Sequence, residues 1–438
     1  MHRHHGILLQ LLCGLAVSVV ASAGFGQNPE FRARMAAWQQ PQAVRAAPPA
    51  GQAAAPESIH AEPYYEEIGP GLAAGGCGNC ACDGACGGQC DGGCVGGYCG
   101  LRGFHSIDRD PACDACKSCR PPMWWLRTDG LLWWRKGRDL PVLVVSNTEA
   151  SSDPGEIVLY GGEIVSGSPQ GGFRLDIGTW LDAEECLGIG GRFWGLGEER
   201  TRFHADADTL PDQTIERPFI DAVTGPESFI VSDPFTPFAG SIDVVTTSEV
   251  LGADAYARMA WCRLCDFRVD LIAGYQVTRI NESLRIDTDI PDSPLGPNRA
   301  FDQWVTHNEF HGGSIGFLYE SCRGCWTTTC LLKVGLGNMR QTAELVGREN
   351  GVPVGLLVEE PITVTRDKFV AVPELDVAWS YAINPCWNLN VGYSLMYWSN
   401  VARPEALIDE VVGNDISLVF RDESFWVQGL TVGANCRF

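Results

Sequence analysis

The densest reactive chemistry in this chain is thiol. Ten cysteines fall between Cys77 and Cys119, in CGNCACDGACGGQCDGGCVGGYC followed by CDACKSC. Cysteines packed this closely either hold a soft metal as thiolates or pair as disulfides. The spacings Cys77-x-x-Cys80 and Cys113-x-x-Cys116-x-x-Cys119 suit tetrahedral zinc as well as bridges. In an oxidising compartment oxidation competes with thiolate ligation, so disulfides are the expected chemistry and no metal or cofactor is assigned. Their connectivity is not readable from spacing.

Acid–base chemistry is sparser. His307, Glu309 and His311 in HNEFHGG are the nearest approach to a hydrolytic set. Glu309 and His311 share the strand parity of Ile315, Phe317 and Tyr319, which turns them away from any interior. Asp287, Asp289 and Asp292 supply carboxylate oxygens of the kind calcium accepts, but without the regular spacing of a calcium loop they read as solvated surface. No nucleophile elbow, phosphate loop, dinucleotide fingerprint or HExxH motif is present. No catalytic residue is assigned, and the chain is read as no enzyme. A formal charge of -22 excludes nucleic acid as a partner, since phosphates demand clustered Lys and Arg.

These groups need elements to position them. Residues 1–23 carry a basic start, an apolar stretch from Ile7 to Val20, and Ala21, Ser22 and Ala23 ahead of Gly24, the pattern of a cleaved export signal. Leu12 precedes Cys13 where a lipoprotein signal needs a small residue. Residues 24–76 form an Ala/Pro-rich linker and 77–122 the Cys- and Gly-rich segment, expected in the periplasm. This extension lacks a periodic apolar pattern and is expected to be largely disordered. Beyond the N-terminus no apolar run approaches the ~20 residues of a spanning helix, so a membrane role must use strands.

From Met123 onward, strands dominate. In WNLNVGYSLMYW, residues 387–398, Trp387, Leu389, Val391, Tyr393, Leu395 and Tyr397 share one face; Asn388, Asn390, Gly392 and Ser394 share the other. Lipid outside and a polar lumen inside require that alternation. Ten such strands are read at 123–135, 172–181, 188–198, 249–261, 266–280, 309–320, 326–342, 369–382, 387–399 and 425–438. Their linkers alternate long and short, the short ones being DAEECL, CRLC, SCRGC and INPC. The expected fold is an all-β, antiparallel, transmembrane up-and-down barrel over 123–438, with short turns on the periplasmic side. A further pair of strands between Glu199 and Ser248 would make it twelve-stranded.

If the apolar faces meet lipid, the opposite faces place Arg127, Asp129, Arg174, Asp176, Arg192, Asp254, Arg258, Arg268, Asp270, Lys333, Glu374 and Asp376 in the lumen. A ten-stranded barrel is little wider than its side chains can fill, so mixed charges there can plug it. The short turns gather Cys186, Cys262, Cys265, Cys322, Cys325 and Cys386 at the periplasmic rim. Leu430 and Val432 alternate toward the terminal Phe438, an ending of the kind that barrel-assembly machinery recognises.

With these residues in view the chain resembles the beta-barrel porin-7 family of bacterial outer-membrane proteins. The matching segments run from about Leu126 to Phe438: LRTDGLLWWRKGRDLPVLV, LIAGYQVTRINESLRI, NEFHGGSIGF, KVGLGNMRQTAELVG, RDKFVAVPELDVAWSY, VGYSLMYWSNVARPEALID and FWVQGLTVGANCRF. The resemblance implies an outer-membrane location and porin-like passage of small solutes. Two alternatives stand beside it: a plugged structural barrel tied to the cell wall or to periplasmic proteins by disulfides of the Cys-rich segment, and a hydrolase at the barrel rim. Expected partners are outer-membrane lipid and the assembly machinery.

Overall fold

The computed structural model describes residues 123–147, 156–165, 168–182, 185–221, 225–236, 239–263, 267–291, 297–350, 361–384, 386–408, 411–412 and 420–437. The export signal, the linker and the Cys-rich segment read from the sequence lie outside the described residues, as do Cys265, Asp292 and Phe438.

Ten antiparallel strands close on themselves. They are β1 Trp124–Arg135, β2 Gln170–Trp180, β3 Leu187–Asp206, β4 Ser241–Arg263, β5 Phe267–Ile290, β6 Asn298–Arg323, β7 Trp326–Glu349, β8 Ile362–Ala382, β9 Trp387–Val401 and β10 Glu423–Arg437. Each pairs with its neighbours in the chain. β1 closes the ring by pairing with β10, Trp125 opposite Arg437, as well as with β2, Trp124 opposite Thr179. Closure leaves no strand edge around the lower wall, where every strand is paired on both sides.

Near the short turns the strands turn apolar residues outward. On β5 Phe267, Val269, Leu271, Ala273, Tyr275 and Val277 face out, while Asp270 and Gln276 are buried inside. Trp379, Leu389, Val391 and Val432 stand equally exposed on their strands. About eleven residues per strand follow this rule, the length a tilted strand needs to cross a bilayer core.

Above that band the polarity inverts without any slip of register. The outward positions of β5 become Arg279, Asn281, Ser283, Arg285, Asp287 and Asp289, and the inward ones Ile280, Leu284, Ile286 and Ile290. β7 changes in the same way, from Leu332, Val334 and Leu336 outside to Asn338, Arg340 and Thr342. Water replaces lipid as the outer medium there, so the apolar face must turn inward. The strand ends expected at 280, 342 and 369 mark this inversion rather than the ends of the strands, which continue to Ile290, Glu349 and Ile362.

The wall is uneven in height. β4 to β7 run 23 to 26 residues, whereas β1 and β2 have only 12 and 11. Segments from the long loops build up the low side. Strands at 144–147, 156–160, 215–221 and 225–232 pair into a small sheet, joined by 411–412. The strands at 215–221 and 225–232 are therefore the additional pair considered between Glu199 and Ser248; they belong to the loop sheet, and the barrel keeps ten strands. Leu140, Leu143, Val144, Ile215, Val231, Leu407 and Ile408 from these loops pack against Ile242, Val244, Leu284, Ile286, Trp304 and Leu345 of the tall strands, in one apolar core.

Candidate functional site: the barrel interior

Alternation aims the lower inward positions at the barrel axis, where charged side chains cannot reach bulk water. They meet one another instead. Arg174 on β2 donates from Nε to Asp129 on β1 at 2.8 Å and from Nη1 to Asp376 on β8 at 2.6 Å. Arg127 reaches both of those carboxylates, Asn390 adds a bond of 2.7 Å to Asp129, and Ser394 bonds Asp376.

A second cluster lies beside the first. Arg192 on β3 donates to Asp254 at 2.7 Å and, from Nη2, to Glu374 at 2.8 Å. Lys333 bridges the same two carboxylates at 2.7 and 3.0 Å. Toward the short-turn rim, Arg258 and Arg268 share Asp270 and lie over the Trp180 ring, 4.9 and 4.2 Å from its centroid. Asp176 accepts from the Trp125 indole at 3.0 Å and from the Tyr256 hydroxyl at 2.8 Å.

All twelve charges named from the sequence fall into these clusters. Removing an ion from water costs several kcal/mol, which only close pairing and added hydrogen bonds offset. The layer is consequently a mutually supported unit. Sequence reasoning passed over Glu320, inward on β6, which binds Arg258 at 3.2 Å and Arg437 at 2.8 Å. Its parity with the buried Ser314 was the available signal.

Above the charges lies an apolar layer of Trp133, Trp194, Trp398, Phe310, Phe425, Met339 and Met396. The Trp194 ring sits 5.5 Å from that of Trp133 and 6.4 Å from that of Trp398, so indoles from β1, β3 and β9 meet across the interior. A glycine makes room: a Cβ on Gly252 would come within 2.4 Å of the Trp194 ring.

Higher still, the β9–β10 connection enters the barrel. Asn308 on β6 donates to the Ala402 carbonyl at 2.9 Å and accepts from the Ala402 amide at 2.8 Å. Arg403, 1% exposed, donates to Glu282 at 3.0 Å and to the Gly137 carbonyl at 2.9 Å. Glu405 follows in a 3-10 turn, Pro404–Leu407. Burial pushes its carboxyl up to about 7; the Arg403 guanidinium opposes the rise and the Glu282 carboxylate adds to it. Arg403 Nη1 stands 2.9 Å from Glu405 Oε1, but the same guanidinium is shared with Glu282. Arg217 fastens the β3–β4 connection to Asp302 of β6 at 2.8 Å. None of these loop residues stood in a periodic stretch, so nothing in the sequence pointed to them.

Other sequence candidates lie away from the interior. His307, Glu309 and His311 face outward above the lipid band, bonded to Asn281, Arg279 and Tyr275 respectively. Asp287 and Asp289 pair with Arg285 and Arg299. Among the described residues no cluster of His, Cys, Asp or Glu could hold a metal ion. Cys262, Cys322 and Cys386 are exposed free thiols at the short-turn rim. Cys186 stands in the β2–β3 turn, its carbonyl accepting from the Ala260 amide, and Cys325 is buried in the β6–β7 turn. Leu430 and Val432 are exposed on the outer face of β10.

Residues 125–438 match the family model described as "Putative beta barrel porin-7". The chain belongs to that family. Membership and the closed barrel together point to the outer membrane. No curated protein matches the chain in sequence. Among solved structures it is similar to the outer membrane protease OmpT of Escherichia coli, at 10% identity and a TM-score of 0.42, covering 73% of this chain and 97% of that one. It is also similar to a TodX monoaromatic hydrocarbon channel mutant, at 8% identity and 0.22, covering 74% and 92%. The toluene transporter TbuX of Ralstonia pickettii stands at 8% and 0.17, covering 73% and 90%. At such scores these likenesses carry nothing about activity.

Proposed function

We propose that this family member serves as a closed structural barrel of the outer membrane, reaching it by an export signal and holding its Cys-rich extension on the periplasmic side. One observation carries the reading: Arg192 on β3 is bonded to Asp254 beside it and to Glu374 on β8, five strands away around a ten-stranded ring. A side-chain bridge across the full width, with Lys333 beside it, obstructs the axis at that level. The aromatic layer and the fastened loops above it block the same axis.

Porin-like passage of small solutes is the second reading, favoured by the family. It requires the charged layer to part and the 402–408 segment to leave the interior. A hydrolase at the rim ranks below both, because His307, Glu309 and His311 face outward and are each engaged by a neighbouring side chain. Export partners under either reading are outer-membrane lipid and assembly machinery that reads the last strand.

Conductance of the full-length protein in planar lipid bilayers separates the first two, measured before and after reduction. The closed reading expects silence in both states from protein whose heat-modifiable migration shows it folded. Reproducible steps of open current would establish passage instead.

A further inference from the structure

We propose that the β8–β9 boundary above Glu374 is a lateral port, through which the hydrocarbon tail of a bilayer lipid reaches the apolar layer inside the barrel.

The port begins at a proline. β8 and β9 pair from Ala382 opposite Asn388 as far as Glu374 opposite Met396, and the ladder stops there although both strands run on. The next residue of β8 is Pro373. Two side-chain bonds show which way the backbone faces: the Ala371 amide donates to Ser399 Oγ at 3.1 Å, and Asn400 Nδ2 donates to the Phe369 carbonyl at 3.3 Å. Residues 369 and 371 thus turn their peptide groups toward β9, and by the two-residue period so does 373. Proline has no N–H to offer there, so the ladder loses its next donor. Each strand stays held on its far side, β8 by β7 up to Ile362 opposite Leu345 and β9 by β10 up to Val401 opposite Glu423. Among the described residues no ladder pair joins their common edge above Glu374.

Side chains hold that edge where backbone bonds would. Ser399 and Asn400 each supply one bond to β8. At the top, Asp422 clips Arg366 and Lys368 at 2.7 and 3.1 Å, in ion pairs open to solvent that hold weakly. The stretch from Pro373 to Phe369 is about 13 Å long at the rise of a strand.

Both sides of the edge are apolar. Outside, Leu336 and Phe369 stand exposed at the upper margin of the lipid band, Phe369 by 69%. Inside, Val370, Val372, Met396 and Trp398 belong to the buried layer, with Met339 beside them. A hydrocarbon tail passing between Ala371 and Ser399 therefore exchanges one apolar medium for another, with no polar group to dehydrate. Met339 and Met396, unbranched and flexible, are the side chains that move to admit it. The charged layer beneath is undisturbed, since Glu374 keeps its place in the ladder and its bond to Arg192.

The test places full-length protein in vesicles of a phosphatidylcholine whose tail carries a terminal diazirine. Irradiation attaches the tail to what it touches, and mass spectrometry maps the adducts. They are expected on Val370, Val372, Met339 or Met396 as well as on the lipid-facing Leu336, Leu389 and Val391. Ala371→Cys with Ser399→Cys staples the port, because the amide of one position already bonds the side chain of the other, which brings a disulfide within reach. Oxidation of that variant is expected to remove the inward adducts, spare the outward ones and be reversed by reduction, with oxidised wild-type protein as control and heat-modifiable migration as the check of folding. Pro373→Val restores the missing donor and is expected to diminish the inward adducts without a staple. Adducts confined to outward residues in the wild-type protein would overturn the port, as would inward adducts that neither closure reduces. Inward labelling by a free diazirine fatty acid added in water, but not by the phospholipid, would overturn entry from the bilayer. Bilayer current bears on the axial closure alone, so the two readings fail separately.

Discussion

Arg192 and Glu374 stand on opposite sides of the barrel and are joined by a bond of 2.8 Å between Nη2 and Oε2. Lys333 and Asp254 complete the square. Glu374→Ala leaves Arg192 and Lys333 sharing Asp254 alone in a water-poor interior. Removing one partner of a buried pair costs about 3–5 kcal/mol. The variant is expected to unfold at lower urea in lipid vesicles, followed by tryptophan fluorescence, and Arg192→Met combined with Glu374→Leu to recover most of the loss. An unchanged midpoint for Glu374→Ala would show that the pair does not bear on stability.

Glu405 predicts a pH response in the loop that fills the upper barrel. Its folded carboxyl titrates near 7, against 4.5 for an ordinary Glu. A raised folded value means that stability is fully present below about 4.5 and is lost as pH rises through about 7. Amide hydrogen exchange over 402–408, corrected for intrinsic rate, is expected to accelerate between pH 4 and 8. Glu405→Gln is expected to remove that slope and slow exchange at pH 8. Equal slopes in the two proteins would refute the assignment.

Gly252 lies under the Trp194 ring with no room for another carbon. Gly252→Val displaces Trp194 from the layer it shares with Trp133 and Trp398 and is expected to cost about 1–3 kcal/mol, as overpacking does. Near-ultraviolet circular dichroism reports the rearranged indoles. A spectrum and midpoint both unchanged would mean the layer yields more easily than its packing implies.

Val432 faces lipid on β10, in the middle of the apolar band. Val432→Arg is expected to lower barrel stability by about 2–4 kcal/mol, the cost of a cation on the lipid face near the bilayer midplane. Asn338→Arg, outward on β7 above the band, is expected to cost almost nothing. Similar losses at both positions would misplace the band.

The amino-acid sequence by itself determined ten strands of the wall and the outer face of the lower barrel, while only the structure decided that the pair at 215–221 and 225–232 stays out of the ring. Alternation is local, and a lipid exterior forces an apolar residue at every second position, so Leu389, Val391 and Tyr393 declare their side without knowledge of their neighbours. The same parity put Arg192 and Glu374 on the inner face. What only the tertiary structure decided is which charge meets which, because Arg192 and Glu374 are 182 residues apart and join only when the ring closes. It also decided that β5 runs on past Arg279, since the apolar face changes sides there and a sequence read for lipid loses the pattern. Least legible were Arg403 and Glu405. Their connection has no period, and its place inside the barrel follows from the low wall at β1 and β2 and the apolar space that the tall strands enclose.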